Sequence, residues 1–490
     1  ALSQYANREA AEYYQAALTI ARAQPASASL GRLYDVLGQA LERSGEYPQA
    51  LANYEEMESH AQATGDQPLA LLALTAQTRL RSTFTPIADP DQGQALAERA
   101  LALARQLGDG AAEARLLLYL MRLAVWDGNL PQVIALGERA AASARAQALP
   151  SLLVEALGEL AMWGYINTMQ IRLANERLAE ARALLPALAA PYQNADTLAL
   201  LIILDLLRGD AAAALQDNAE LQRISETLDY GWGRAQALIG AGIGLLERGE
   251  LGLALPLLEE GSRLGNQFSL GNAARIICGF LARGYAALGE IEPGLAAVRR
   301  VDLVESRDPS LIVWSSAAET LLLLAGSRVA EAATAFERIC RLGPPADVIA
   351  YRLTAAAEAE LALAQGDTQR VIEVTTPVID DMRREGGRAI LCETLAYRSR
   401  ALLAAGRLAE AVPALAEARA LAETIGMRLV LWTVIAAELD LANRQNQTAA
   451  AQPLRRELHA LLNTLADNAG TPARRAAFLA APGVEAALNL

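Results

Sequence analysis

One spacing runs through this chain from end to end. A small residue recurs at Ala10, Ala50, Gly93, Val133, Ala174, Ala214, Ala254, Gly294, Ala332, Val371, Ala411 and Ala451, in most units five or six places after a turn signal. Every step between neighbours is close to forty; the longest runs from Ala50 to Gly93 and the shortest from Gly294 to Ala332. In an alanine-rich chain any one position is unremarkable, but twelve at one spacing specify an internal repeat. A repeat of this length makes a solenoid or array, in which each unit packs only on its neighbours. The core then grows linearly, and 490 residues need not divide into separate globular domains.

The repeating unit reads as a pair of helices. The composition is 53% hydrophobic but only 5% aromatic, and Ala and Leu, the strongest helix formers, supply most of the apolar residues. Gly128, Gly209, Gly249, Gly289, Gly326, Gly366 and Gly406 each follow one apolar-periodic stretch and precede another. The spacing predicts a first helix, A, of about fourteen residues and a second, B, of about sixteen. Leu408, Ala411, Val412, Leu415, Ala418, Leu421 and Ala422 fall on one stripe of such a B helix. Breakers at Gly65-Asp66, Gly108-Asp109, Pro150, Gly343-Pro344-Pro345 and Gly386-Gly387 end the B helices. The stretch 83–93, with Pro86 and Pro90, is one expanded loop and accounts for the longest step.

The clearest unit is Leu33-Tyr34-x-x-Leu37-Gly38-x-x-Leu41-x-x-x-Gly45-x-Tyr47-x-x-Ala50-x-x-x-Tyr54. It resembles the tetratricopeptide (TPR) pattern, lengthened to a unit of about forty. Gly38 and Ala50 are small enough for the two helices to approach closely, and Gly45 has the backbone freedom to turn between them. The expected fold is all-α, a right-handed superhelical solenoid of TPR-like hairpins. Residues 1–470 make about 11–12 repeats. The first lacks helix A, because Asn7–Leu18 reads as a B helix, and this predicts that the chain is the C-terminal piece of something longer. Residues 471–490, with Arg474, Arg475, Phe478, Leu479, Pro482 and Val484, are expected to cap the open face.

The long-repeat array and this tail resemble the C-terminal region of bacterial STAND-type signalling ATPases. That resemblance implies an upstream NTPase domain in the same chain and an effector elsewhere in it, such as a LuxR-type helix-turn-helix, a cyclase or a kinase. In the maltose-activator branch the superhelix itself senses the inducer. A free-standing TPR scaffold or adaptor is the alternative.

Composition narrows the chemistry. The net charge is −13 and no lysine occurs, so all 43 basic residues are arginine. A chain this acidic, without a basic run, is not expected to bind nucleic acid directly. Without lysine there is no Walker A loop, Schiff base or Ser-Lys dyad. His60 and His459 stand about ten repeats apart, and no zinc constellation or catalytic pair can be drawn from them. Cys278, Cys340 and Cys392 read as small buried thiols of a reducing cytoplasm. Gly240, Gly242 and Gly244 lie within a helix pattern and read as close helix packing. No apolar run is long enough to span a membrane. The chain is therefore expected to be a cytoplasmic, non-catalytic binding module without cofactor or metal.

The remaining candidate is the concave face, which A helices line in TPR arrays. Its positions keep one register ahead of each small residue. Counted back from Val133 they are Arg115, Leu118, Arg122, Val125 and Trp126, and the same offsets apply in every unit. They give three zones. Arg115, Arg122 and Trp126 face Glu159, Trp163 and Asn167, either as an aromatic and arginine pocket or as gap filling with Arg–Glu pairs. Ile203, Leu206, Ile239, Ile243 and Leu246 form an apolar wall, either open to a helix or peptide or packed within a tight superhelix. Arg283, Glu360, Glu393 and Arg400 follow. The expected occupants of the groove are a protein or peptide segment, a small effector, or both.

Overall fold

The computed structural model describes residues 2–22, 30–83, 85, 87–188, 190–268, 272–300, 309–342 and 348–490, and among these there is no strand. Pro86 and the expected breaker at 343–345 lie outside the described residues. Helix α1 (Leu2–Arg22) comes first. Hairpins 1 to 4 are α2 (Leu30–Arg43) with α3 (Tyr47–Thr64), α4 (Gln67–Ser82) with α5 (Pro90–Leu107), α6 (Gly110–Trp126) with α7 (Leu130–Ala146), and α8 (Pro150–Glu159) with α9 (Ile171–Leu184). Hairpins 5 to 8 are α10 (Pro191–Arg208) with α11 (Ala211–Thr227), α12 (Gly231–Glu247) with α13 (Leu251–Phe268), α14 (Asn272–Ala287) with α15 (Ile291–Arg299), and α16 (Pro309–Ala325) with α17 (Val329–Leu342). Hairpins 9 to 11 are α18 (Val348–Gln365) with α19 (Thr368–Glu385), α20 (Arg388–Ala404) with α21 (Leu408–Ile425), and α22 (Arg428–Arg444) with α23 (Thr448–Asp467). Two short helices, α24 (Pro472–Leu479) and α25 (Pro482–Leu488), finish the chain. This is a superhelical solenoid of TPR-like hairpins. No described helix is long and apolar enough to cross a membrane.

The repeat spacing has a single structural meaning. From Ala50 to Ala451, every small residue of the ladder is the fourth residue of its B helix, and every one is buried. There each B helix packs at short range on the A helices of its own and the next hairpin. A methyl group on Gly93 would lie 2.9 Å from Leu123, and one on Gly294 would lie 2.7 Å from Leu322. Gly38 is more constrained still, because a side chain there would strike the Tyr54 ring. Gly45 turns with φ +81°, as expected, but at Gly326 the left-handed position falls one residue later, on Ser327 (φ +60°). The glycines of α12 pack closely: Gly240 faces Ile202, and Gly242 faces Leu258 of α13.

The structure departs from the expected regularity in three places. Most A helices have 16 to 18 residues rather than about fourteen, because the connections are short and the extra length stays helical. The step between Val133 and Ala174, one residue longer than most, holds a π-helical stretch, Leu160–Ile166, which continues α8. A π turn takes up one extra residue without breaking the helix, which matches a step one residue too long. Cys278 and Cys392 are buried, but Cys340, expected to be buried with them, is exposed because α17 turns that face to solvent.

The superhelix is wound tightly enough to touch itself. The A–B turn of one hairpin meets the connection that follows the hairpin five places on. A methyl on Gly387, after hairpin 9, would lie 2.9 Å from Ile171 in the turn of hairpin 4. Gly209, in the turn of hairpin 5, packs on Ile425 at the end of hairpin 10. Gly249, in the turn of hairpin 6, packs on Leu465 of hairpin 11. In the turn of hairpin 7, Glu290 is gripped by Arg474 at 2.9 and 3.0 Å, so the terminal helices stand where a twelfth hairpin would. Hydrogen bonds sew the same seam. The Gly252 amide donates to the Asn468 carbonyl at 2.8 Å, and Arg388 Nε donates to the Arg208 carbonyl at 2.7 Å. Helix α20, caught between turns, is buried on most of its circumference, and its polar residues are not gathered on one face.

Candidate functional site

The first concave zone is a set of satisfied ion pairs. Arg122 of α6 donates from Nε to both Glu159 oxygens at 3.0 and 2.9 Å, and from a terminal nitrogen to Glu155 at 2.5 Å. Burial pushes the Glu159 carboxyl up, against the pull of Arg122. The Trp126 indole N–H donates to the Ser82 carbonyl at 3.1 Å, which ties hairpin 3 to hairpin 2. Trp163 lies in the π stretch, half-buried against the core, and Asn167 follows directly after it. Arg115 is exposed on the same face of α6, two turns before Arg122. The structure thus joins Arg122 to Glu159, and its tryptophans fill gaps between hairpins. Further along this groove the exposed Asp196 carboxylate accepts a hydrogen bond from the Tyr230 hydroxyl at 2.8 Å. Tyr192 stands edge-on to Tyr230 at 5.1 Å.

The apolar wall packs within the superhelix. Ile239, Ile243 and Leu246 are buried, and Ile239 sits where a side chain on Gly261 of α13 would collide with it. Ile203 and Leu206 are half-buried against the same core. Packing within the hairpin, α12 on α13, buries Ile239, and the winding also brings α10 against α20 and α12 against α22 across successive turns.

The third zone becomes a half-open pocket. A chamber of about 800 Å³ lies between the A helices α14, α16, α18, α20 and α22 and the terminal pair α24–α25. Arg283, Glu360, Glu393 and Arg400, four positions far apart in sequence, line it together. Arg283 is bound to Glu247 at 2.7 Å and approaches Glu393 at 3.7 Å. Arg400 pairs with Glu360 at 2.5 Å, and Arg444 pairs with Asp440 at 2.9 Å. The remainder is mostly apolar: leucines and alanines of the A helices, Trp432, and Phe478, Val484 and Leu490 from the terminal segment. Phe478 is buried, and a methyl on Gly483 would touch the Trp432 ring at 3.8 Å, so α25 roofs the chamber.

Several lining residues escaped the sequence reading. Asp440 and Arg444 hold the same register ahead of Ala451 that Arg122 and Trp126 hold ahead of Val133, so the positional rule applied to the last hairpin finds them. Tyr397 falls between two register positions ahead of Ala411, a place the rule omits. Phe478 and Val484 are expected only as part of the capping tail, and they and Leu490 carry no periodic signal for the pocket, because the fold-back that places them depends on contacts with distant hairpins.

No family model matches this chain, and no curated protein matches it. Among solved structures it is similar to the crystal structure of the APC/C hetero-tetramer Cut9-Hcn1, with 14% sequence identity, a TM-score of 0.34 and coverage of 94% of each chain.

Proposed function

We propose that this array is a non-catalytic binding module whose ligand site is the chamber between hairpins 7 and 11. The observation that carries the proposal is a half-open pocket of about 800 Å³ lined by five A helices and the terminal pair. That volume is in the range of small-molecule sites, which run from about 300 to 1,000 Å³. The paired arginines and carboxylates set rigid polar positions in an otherwise apolar wall, as ligand sites do. On this reading the module senses a small effector, and α24–α25, which close the chamber, change position with occupancy. Such a sensor fits the signalling ATPases whose repeats this chain resembles, with an NTPase domain encoded upstream in the same reading frame.

The test is a thermal-shift screen of small polar and amphipathic molecules on the full chain. Ala436→Trp and Ala287→Trp each fill the chamber from a partly exposed wall position. A true ligand raises Tm, and the rise disappears in both variants. Shifts that survive both place binding elsewhere and defeat the proposal.

The adaptor reading draws on the first groove, where Tyr192, Asp196 and Arg115 are exposed. There a protein segment is the expected occupant. Arg115→Glu weakens such a partner and leaves chamber ligands unaffected.

A further inference from the structure

The charged groups of the chamber already have partners. Its described lining holds three arginines, Arg283, Arg400 and Arg444, and three carboxylates, Glu360, Glu393 and Asp440. Each arginine sits in an ion pair, and Arg283 is held by a further carboxylate, Glu247, behind the wall. An anion would find every arginine already paired, and a cation would have to draw a carboxylate away from its arginine. Both are costly. A neutral ligand meets neither cost.

Tyr397 differs from this pattern. Tyr397 of α20 lines the chamber between the Arg283–Glu393 and Arg400–Glu360 pairs, and its hydroxyl makes no hydrogen bond within the described residues. Burial pushes this phenol above its usual range, so it stays protonated and keeps both a donor and an acceptor to offer. By contrast, the Thr433 hydroxyl on the same wall is occupied by the Val430 carbonyl at 2.7 Å. The rest of the wall is hydrocarbon and the Trp432 ring, with the exposed Ser327 at its edge.

We infer that the chamber takes an uncharged amphipathic small molecule, whose hydroxyl or carbonyl pairs with Tyr397 while its hydrocarbon part lies against Trp432 and the alanine–leucine wall. This rests on the reading of the chamber as a ligand site.

Three probes of one chain length separate the possibilities: 1-octanol, octanoate and octylammonium, titrated into the full chain at pH 7 by calorimetry. Octanol is expected to bind at least tenfold tighter than either ion. Tyr397→Phe, which removes only the unpartnered hydroxyl, should leave the unliganded Tm unchanged and weaken octanol about fivefold, the worth of one neutral hydrogen bond. The inference falls if an ion binds as well as octanol, if Tyr397→Phe leaves octanol binding intact, or if none of the three binds. The chamber variants tell which premise failed. An ion whose binding is lost in both Ala436→Trp and Ala287→Trp leaves the chamber as the site and overturns only the ligand class. Octanol binding that persists in both overturns the site itself.

Discussion

Two glycines with nearly the same backbone can carry very different constraints. Gly366 turns with φ +78° and has open space around it, whereas Gly249, at φ +75°, has Leu465 where a side chain would go. Alanine in the left-handed region costs about 1–2 kcal/mol from backbone sterics alone. Gly366→Ala should therefore lower stability by about that much, and Gly249→Ala should cost clearly more, since it must also push the seam apart. Urea denaturation midpoints of the two variants check this difference, and equal losses would mean that the seam contact contributes nothing. Sequence alone makes both residues legible as turn glycines, because a turn is a local demand. It cannot rank them, because Leu465 belongs to a hairpin five places further along the chain.

Helices are the scale at which the chain is most legible. Period, partner helix and buried stripe all follow from neighbours within one repeat, and the ladder falls on the fourth position of every B helix from α3 onward. Even an irregularity can be read back. The one extra residue between Val133 and Ala174 appears as the π stretch Leu160–Ile166. Deleting Met162 restores the usual step and should convert that stretch to α-helix while leaving the chain folded, with Tm lowered by only a few degrees. Removing one residue from the middle of α12 should be far worse, since it rotates Ile239 and Ile243 out of the core. Circular dichroism and thermal melts of the two deletions test the contrast. On the concave face, the same positional rule found Arg283, Glu360 and Arg400 but could not foresee that they would share one chamber. That depends on superhelical pitch, which the repeat pattern leaves open.

At the scale of the whole molecule, the buried apolar residues form more than one cluster. One joins α1 to α4, from Ala11 to Leu80, and a far larger one runs from Leu71 to the last helix. Only the larger one contains the residues that meet across the seam. Hydrogen exchange should therefore show α1–α3 opening at lower free energy than the rest, with hairpins 4–7 and 9–11 exchanging together as one unit. If hairpins 4–7 exchanged independently of 9–11, the seam would not couple them. In an open solenoid, stability is close to a sum over neighbours. Here the seam adds terms between units five places apart.

A coil that locks onto itself after a fixed number of units also keeps count. In most repeat arrays a unit can be gained or lost anywhere, and the chain merely becomes longer or shorter. Between hairpins 4 and 11 this chain has no such liberty, because one unit more or fewer would bring every later connection to the wrong turn. The number of repeats there is as fixed as the number of teeth on a meshing gear, and lineage-to-lineage variation in length is expected ahead of hairpin 4 rather than within the locked part.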